Sequence, residues 1–354
     1  MLINGRFLSQ ELTGVQRYAV EMTRAMRRLR PDVQVVSPRR VLHRELASEF
    51  SAVAVGWGSG YYWEQVELPA LLKSKPSPPV LLNFANLAPA LYERNVVVIH
   101  DVAPLRHPEW YSKRFRLAYR TLLPVIARRA LQVVTDSGFA AREIRELLPV
   151  HSSRLAVVPG AASDLFLNTT GTEPPLTDYP YILTVGSFDP RKNLKTTIEA
   201  YRQLQLPGVQ LAIVGRSNRV FAAQDGVLAD ANTAGIHLQR NVSDAELKAW
   251  YAHAALFVFP SHYEGFGLPP LEAMACGCPC LLSTAASLPE VFGDAAAYCD
   301  PNDVQDVAQR MRDLLQNEPL RMMYRHRGLA RASSYSWDRS AKLFLDAVDH
   351  PVIS

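Results

Sequence analysis

The chain has 354 residues, of which 48% are hydrophobic and 20% are charged, and its formal net charge is +4. This composition excludes a disordered chain, a collagen-like chain and a small disulfide-stapled domain, and the length predicts two domains. The charge is uneven, because residues 1–170 carry 22 basic and 14 acidic side chains (+8), whereas residues 171–354 carry 16 and 20 (−4).

The N-terminal sequence MLINGRFLSQ has neither the basic region nor the apolar run of a secretory signal. No apolar stretch reaches the roughly 18 residues that a membrane-spanning helix needs. The stretch 80–99 is broken by Asn83, Asn86 and the ERN sequence at 93–95. We therefore expect a cytoplasmic protein.

Short β-rich runs alternate with helical stretches along both halves of the chain, and this alternation is typical of parallel sheets covered on both faces. The predicted strands are Val33–Val36, Val80–Phe84, Val96–His100, Gln132–Asp136, Arg154–Val158, Tyr181–Gly186, Gln210–Val214, Ile236–Leu238, Leu256–Phe259 and Pro279–Ser283. The predicted helices are Val15–Leu29, Lys113–Ala130, Gly138–Leu147, Lys195–Leu204, Ser243–Ala252 and Pro270–Ala275, followed by a mostly helical tail. The pattern predicts an α/β fold with two doubly wound, Rossmann-like domains.

The segment 168–180, NTTGTEPPLTDYP, is rich in Thr and Pro and has no periodicity, so it is predicted to be a linker. We therefore place an N-terminal domain at residues 1–168 and a C-terminal domain at 169–335, with a final helix at 336–354. Ligands of open α/β sheets bind outside the carboxyl ends of the strands. With two such domains, we expect the site in a cleft between them.

Two segments carry most of the positive charge, since residues 24–44 and 106–129 each hold seven basic residues and one acid. Such patches suit an anionic membrane surface or a phosphate-bearing acceptor. Nucleic acid is a competing polyanion, but the chain lacks basic stretches interleaved with aromatic residues, so a nucleic-acid binder is least favoured. The alternative is that these two segments bind no ligand and are simply solvent-exposed faces of helices.

The four cysteines do not predict a metal site. Cys276, Cys278 and Cys280 alternate and Cys299 stands alone, whereas structural zinc sites use C-x2-C pairs. We expect buried free thiols.

Residues 260–279, PSHYEGFGLPPLEAMACGCP, form the strongest candidate site. Gly265 and Gly267 allow the backbone to approach a ligand, and the helix that begins at the following prolines presents a positive dipole end to a diphosphate. Glu264 and Glu272 suit the hydroxyls of a sugar or a ribose better than they suit phosphate. A capped helix with surface acids is the structural alternative.

The run E-G-F-G-L-P-x-L-E-A-M-A-C-G-x-P, preceded by P-S-x-x, resembles the signature of the retaining glycosyltransferase family 4 (group 1), which has the two-domain GT-B architecture. The resemblance implies that Glu264 faces the donor sugar as a catalytic residue and that Glu272 binds the nucleotide ribose. It also implies that the backbone of 266–268 (Phe266, Gly267, Leu268) meets the diphosphate and the sugar.

The loop VGSFDPRKN resembles the family's diphosphate-binding loop, in which Lys192 neutralises the donor phosphates. Many members carry an arginine after the glycine, whereas this chain has Ser187. We expect Arg191 or Arg216 to supply that charge.

Further donor and acceptor residues follow from the same resemblance. Gly14 resembles the glycine whose backbone approaches the donor, with a plain helix cap as the alternative. A histidine after four aliphatic residues is more often a buried strand-end group than a ligand, but His100 resembles the strand-end histidine that contacts the donor sugar. Asp101, which orients His100 or binds acceptor hydroxyls, and Arg17 are assigned to the acceptor side.

Weaker matches complete the set. Arg240 and Val242 lie in a segment that resembles the nucleobase loop, and Asp136 and Ser137 follow a predicted strand and are further cleft candidates. The final helix resembles the family's terminal helix, which packs back on the N-terminal domain.

The resemblance implies a transferase that moves a hexose from a nucleotide-sugar donor, with GDP-mannose or a related GDP-sugar favoured, to a glycan that is lipid-linked, in bacterial-type polysaccharide biosynthesis. We expect retention at the anomeric carbon, no cofactor and no metal, because no D-x-D motif stands in a suitable place. We expect a peripheral contact with an anionic membrane through 113–129. The alternatives are a nucleotide-sugar 2-epimerase of the same architecture and a non-catalytic subunit of a glycan-assembly complex.

Overall fold

The computed structural model describes residues 1–167, 169, 172–175, 179–215 and 235–349. They fall into two compact units. The first contains Met1–Arg106, Arg114–Gly160 and the chain from Ser336 on, and the second contains His107–Lys113 and Ala161–Tyr335. Each unit is described separately.

The first unit is built on a sheet of seven parallel strands in the order β3-β2-β1-β4-β5-β6-β7. The strands are β1 Leu2–Asn4, β2 Gln34–Ser37, β3 Val53–Ala54, β4 Leu81–Asn83, β5 Asn95–Val98, β6 Gln132–Thr135 and β7 Leu155–Val157. The helices are α1 Gly14–Leu29, α2 Arg44–Glu49, α3 Gly60–Tyr62, α4 Leu68–Lys73, α5 Ala103–Arg106, α6 Lys113–Arg129 and α7 Gly138–Leu147. A π-helical turn, Trp63–Glu67, joins α3 to α4, and short 3-10 turns lie at Gly5–Ser9 and Ser152–Arg154. A further 3-10 turn between α5 and α6, Pro108–Trp110, belongs to the second unit.

The second unit has six described strands, all parallel, in the order β10-β9-β8-β11-β12-β13. They are β8 Tyr181–Val185, β9 Gln210–Val214, β10 Ile236–Gln239, β11 Leu256–Phe259, β12 Cys280–Ser283 and β13 Ala297–Cys299. The described helices are α8 Asp164–Leu167, α9 Leu194–Leu204, α10 Asp244–His253, α11 Leu268–Ala275, α12 Leu288–Phe292, α13 Val304–Gln316 and α14 Glu318–Ser333, with 3-10 turns at Pro190–Lys192 and Gly293–Ala295. The last helix of the chain, α15 Trp337–Asp349, belongs to the first unit.

The structure divides the chain between Gly160 and Ala161, whereas the sequence placed the boundary at 168/169. The physical reason is that Ala162 and Phe166 are buried in the core of the second unit, where the Phe166 and Tyr251 rings lie 5.8 Å apart. Residues 107–113, assigned to the N-terminal domain, also belong to the second unit, in which the His107 and Tyr263 rings lie 5.7 Å apart.

Helix α15 packs on residues of the N-terminal half of the chain. The ring of Trp337 lies 5.1 Å from that of Tyr18, and the ring of Phe344 lies 5.3 Å from that of Phe84. Ser340 Oγ donates a hydrogen bond of 2.6 Å to the Pro159 carbonyl oxygen. These contacts bury one face of the helix within the first unit.

All four cysteines are buried and free, which confirms the prediction from their spacing. Burial raises the pKa of Cys276 to about 12, with a smaller contribution from Glu272. Among the described residues, none of the helices combines the length and the hydrophobicity needed to span a bilayer.

Candidate active site

The strand order of the second unit marks one position where ligands are expected. From β8 the chain builds the sheet outward through β9 to β10, and it then returns to the other side of β8 with β11. The carboxyl ends of β8 and β11 therefore lie at a topological switch point, where the helices that follow the two strands diverge and leave a crevice. The loops that begin there are residues 186–193 and 260–267, the two segments that the sequence singled out.

The loop 186–193 is held in shape by its own residues. Asp189 caps the 3-10 turn Pro190–Lys192 by accepting a hydrogen bond of 3.0 Å from the Arg191 N–H. Asn193 follows with a positive φ of 54°, and its side chain donates to the carbonyl oxygens of Pro260 and Pro301 at 3.0 and 2.7 Å. The loop after β8 is thereby tied to the loop after β11.

The loop 260–267 is tied back in the same way. The His262 N–H donates to the Arg191 carbonyl oxygen at 2.8 Å. Ser287 Oγ donates to the Glu264 carbonyl oxygen at 2.9 Å, and Ser283 Oγ donates to the Ser261 carbonyl oxygen at 2.5 Å. Two serine side chains, one at the end of β12 and one beyond it, thus fix the backbone that carries Glu264.

These two loops bring Lys192 and Glu264 into direct contact. Lys192 Nζ lies 2.6 Å from Glu264 Oε1, and only 14% and 9% of their side chains are exposed. Ser261 Oγ lies 2.6 Å from the same carboxylate oxygen, and Lys192 Nζ lies 4.8 Å above the centre of the Phe259 ring. The two residues that the sequence assigned to the donor phosphates and the donor sugar therefore pair with each other in the protein alone.

The start of helix α11 presents fewer N–H groups than an ordinary helix start. Pro269 and Pro270 occupy its first turn and have no N–H to donate. The Leu271 N–H is already bonded to the Gly267 carbonyl oxygen at 3.3 Å. The first turn of this helix therefore offers few backbone donors to an anion, and the expected contact through the backbone of Phe266, Gly267 and Leu268 stays a prediction.

Gly267 caps helix α11 with φ 104°, a conformation that other residues rarely adopt. A Cβ atom at this position would lie 3.0 Å from the side chains of Leu288 and Phe292. Phe266 is buried, and its ring packs edge-on against Tyr335 with the ring centres 5.6 Å apart. The side chain of Phe266 therefore serves packing, which leaves its backbone as the group that can meet a ligand.

Glu272 is buried on helix α11, and its Oε2 atom accepts a hydrogen bond of 3.3 Å from the Tyr251 hydroxyl. A buried carboxylate that already accepts a hydrogen bond from one hydroxyl can accept further hydrogen bonds from the hydroxyls of a ligand. This arrangement fits the ribose-binding role expected from the sequence.

The remaining donor candidates lie around the same loops. The Arg191 guanidinium is paired with the fully buried Asp189 at 3.1 Å, and Ser187 Oγ donates to the same carboxylate at 2.5 Å. The exposed Arg240 guanidinium lies 5.9 Å from the ring of Phe188, which places it beside the loop 186–193. Val242 packs partly buried against the core, and Arg216 lies outside the described residues.

In the first unit the corresponding switch point lies between β1 and β4. Helix α1 follows β1 and begins at Gly14, with a capping box formed by Thr13 and Gln16. A Cβ atom at Gly14 would meet nothing within 4 Å, so the space beside this backbone is open. Arg17 lies in the same first turn and is half-buried.

His100 follows β5 and is only 6% exposed. Its Nδ1 lies 2.6 Å from Asp136 Oδ2, and its Nε2 lies 3.0 Å from the Phe84 carbonyl oxygen, so both ring nitrogens have partners within the unit. Burial alone would lower the pKa of His100, but the Asp136 carboxylate outweighs it and the pKa is raised. The structure thus shows a held, buried histidine, and a sugar contact through a ring nitrogen would require the Phe84 carbonyl to be replaced.

Asp136, and not Asp101, orients His100. The Asp101 carboxylate accepts a hydrogen bond of 3.0 Å from the Ala103 N–H at the start of helix α5. Asp101 is partly exposed, which keeps it accessible to acceptor hydroxyls.

Sequence reasoning missed Ser261, Asn193 and Tyr251 as residues that hold the site. Ser261 had a signal, because it stands three residues before Glu264 in the quoted P-S-x-x motif. Asn193 had one too, because it ends the quoted loop VGSFDPRKN, whereas Tyr251 acts through a contact 21 positions away that no local pattern reports. Within the described ranges, His, Cys, Asp and Glu side chains form no group of three that could hold a metal ion.

Comparison with known proteins bears on both units. A family model described as glycosyltransferase family 4 matches residues 12–162, and one described as glycosyl transferases group 1 matches residues 172–331. O-antigen chain mannosyltransferase B of Escherichia coli is 33% identical over 273 residues, which make up 73% of this chain and 71% of that protein. The chain belongs to the group 1 glycosyltransferases.

Two further comparisons extend the family assignment. The serotype-specific mannosyltransferase WbdA of Escherichia coli is 32% identical over 270 residues, and the match covers 72% of this glycosyltransferase but only 33% of WbdA. The crystal structure of Anabaena Alr3699/HepE in complex with UDP and glucose has a TM-score of 0.78 at 15% identity and covers 98% of both chains. The two-domain, Rossmann-like GT-B fold expected from the sequence is therefore confirmed.

Replacing Lys192 with alanine should slow sugar transfer by a factor of ~10²–10³, the usual effect of removing one group that stabilises developing negative charge. Initial rates of nucleotide release in the presence of acceptor measure this effect. Lys195→Ala is the matched control, because Lys195 is 70% exposed and pairs with Glu199 at 3.8 Å. Wild-type rates in Lys192→Ala, or an equal loss in both variants, would contradict the assignment.

Proposed function

We propose that this glycosyltransferase moves a mannosyl residue from GDP-mannose to a growing glycan in polysaccharide biosynthesis, with retention at the anomeric carbon. The observation that carries the proposal is the Lys192–Glu264 pair at the switch point of the second unit. The mannosyl group is favoured because the Escherichia coli relatives are O-antigen chain and serotype-specific mannosyltransferases.

The chemical task is to separate a nucleoside diphosphate from a sugar that passes through an oxocarbenium-like state. The bond that breaks joins the anomeric carbon to a phosphate oxygen, so negative charge grows on the leaving group. When the donor binds, Lys192 exchanges the Glu264 carboxylate for phosphate, and Glu264 turns to the hydroxyls of the sugar. The Lys192 ammonium and the backbone of residues 266–268 then stabilise the charge that grows on the leaving group.

Glu272 holds the nucleotide ribose in this proposal, with Tyr251 fixing one of its carboxylate oxygens. It is then unavailable as a second catalytic carboxylate, so the two-carboxylate displacement of retaining glycosidases does not apply. We propose that the reaction needs no metal ion, because Lys192 supplies the positive charge that a divalent cation would otherwise bring to the diphosphate.

The acceptor is assigned to the first unit, whose half of the chain carries the excess positive charge. We propose that the acceptor glycan is attached to a lipid and that helix α6 contacts the anionic membrane that carries it. Arg114, Arg116 and Arg120 are exposed on this helix, as are Arg128 and Arg129, and the helix contains no acid. Leu117 is 63% exposed beside them, which supplies an apolar group for insertion.

GDP should bind this protein more tightly than UDP, since the proposal assigns a guanosine donor. Calorimetric titration of the donor-free protein with each nucleotide measures the difference. A nucleotide at 100 times its dissociation constant also stabilises the fold by about 2.7 kcal/mol, so thermal unfolding provides an independent check. UDP binding as tight as that of GDP would refute the nucleotide assignment.

The product formed from GDP-α-mannose should carry an α-linked mannose, and a chelator should leave the rate unchanged. Proton NMR of the product reports the anomeric configuration, and the same reaction run with excess EDTA reports the metal dependence. A β-linked product would rule out retention, and a rate abolished by EDTA and restored by Mg²⁺ would rule out metal independence.

Incubation with donor alone distinguishes the transferase from the alternative enzyme, a nucleotide-sugar 2-epimerase, since an epimerase would release an epimerised sugar.

A further inference from the structure

The first unit carries three exposed aromatic side chains within six positions of the sequence, and none of them has been assigned a role above. Trp57 is 81% exposed, Tyr62 is 60% exposed and Tyr61 is 43% exposed. We name Trp57, Tyr61 and Tyr62 the aromatic platform. Large aromatic side chains normally bury most of their area, so three exposed together indicate a surface that binds something.

The platform stands on a rigid base. The Glu67 carboxylate accepts hydrogen bonds from the backbone N–H groups of Trp57 and Gly58 at 3.0 and 2.9 Å. The fully buried Trp63 donates its indole N–H to the Val55 carbonyl oxygen at 2.9 Å. Exposed rings on a loop fixed in this way lose little conformational freedom when they bind a ligand.

Two glycines beside Trp57 leave room for the side chains that pack against this loop. Gly56 has φ 71°, and a Cβ atom there would lie 2.2 Å from Glu67 Oε2. A Cβ atom on Gly58 would lie 2.6 Å from the ring of Tyr62. The Tyr62 ring therefore rests against Gly58, the residue that follows Trp57 in the chain.

The loop that carries the platform leaves the sheet at the carboxyl ends of the strands, where ligands of open α/β sheets bind. Trp57 follows β3, and all seven strands are parallel, so the loop leaves the sheet on the side from which Asp101 follows β5. The ends of β3 and β5 are four strand spacings apart, roughly 19 Å.

Arg6 lies beside the platform, with its guanidinium 4.9 Å from the centre of the Tyr61 ring. A cation next to an exposed ring adds hydrogen-bond donors to an apolar surface. The platform therefore combines aromatic faces with guanidinium groups.

The chemistry of the platform fits a sugar chain. One face of a pyranose ring exposes C–H groups that pack on an aromatic ring, while its rim of hydroxyls needs hydrogen-bond partners. The Arg39 guanidinium lies 3.5 Å over the ring of Trp57 and supplies several donors beside the ring.

We propose that the aromatic platform is a distal subsite for the acceptor glycan, which binds sugar units several positions away from the hydroxyl that is glycosylated. This inference rests on the proposed function for the identity of the acceptor. It predicts that the enzyme favours long acceptors over short ones.

The test titrates wild-type protein and Trp57→Ala with α-mannopentaose, maltopentaose and free mannose. Binding is followed by calorimetry and by tryptophan fluorescence, since Trp57 is the one of the five tryptophans that is fully exposed to solvent. At least one pentasaccharide should bind the wild type, and Trp57→Ala should weaken that binding about tenfold, the loss expected for one aromatic contact. Trp57→Tyr should restore most of it, because a ring is retained.

Leu42→Ala is the matched control, because Leu42 is 62% exposed in the same unit and lies outside the platform. Both variants should bind GDP-mannose as the wild type does, so this titration reports on the proposed donor separately from the platform. Failure of both pentasaccharides to bind, or equal binding by wild type and Trp57→Ala, would overturn the inference. So would an unchanged pentasaccharide affinity in Trp57→Ala combined with a loss, in Trp57→Ala but not in Leu42→Ala, of co-sedimentation with phosphatidylglycerol vesicles, since that result assigns the surface to lipid.

Discussion

The ion pair between Lys192 and Glu264 is the interaction on which the proposed chemistry depends. Two charges that are almost removed from water are held stable only when each is well paired and hydrogen-bonded. Here the carboxylate oxygen faces both the ammonium and the Ser261 hydroxyl. Removing one partner leaves an uncompensated charge, which typically destabilises a protein by about 3–5 kcal/mol.

A bound nucleotide sugar can replace both partners of this ion pair, so that neither charge is left unpaired. Its diphosphate replaces the carboxylate as the partner of Lys192, and its sugar hydroxyls replace the ammonium as partners of Glu264. The protein therefore keeps both groups in place and charged before the donor arrives. Such preorganisation is what lowers the barrier of a reaction in which charge develops on a leaving group.

The sheet topology explains why these residues meet. Lys192 and Glu264 are 72 positions apart in the chain, but β8 and β11 are neighbours at the point where the strand order reverses. The loops after these strands are then fixed to each other through Asn193 and Ser261. The same argument places Gly14 at the switch point of the first unit, beside the end of β1.

The sequence predicted the parts of the fold that depend on local pattern. Continuous apolar runs such as Val96–Val98 became buried central strands, and the E-x7-E motif lies, as expected, after a strand of the second unit and on the helix that follows. The strands β1 and β3, at Leu2–Asn4 and Val53–Ala54, were not predicted, because two or three residues are too few to show a period.

The unpredicted features of the site have a common physical cause. The partner of His100 is Asp136, 36 positions away, while the adjacent Asp101 caps a short helix. Arg191 is neutralised by Asp189, which turned an expected phosphate ligand into a structural ion pair in the protein alone. In each case a tertiary contact decides the role of a side chain whose neighbours in sequence suggest another.

The most direct test of the account is a crystal structure of the protein with GDP-2-deoxy-2-fluoromannose, a donor analogue that resists transfer. The account predicts that the diphosphate lies against residues 266–268 and that Lys192 Nζ is within hydrogen-bond distance of a phosphate oxygen and separated from Glu264. An analogue bound elsewhere, with the Lys192–Glu264 pair still at 2.6 Å, would contradict it.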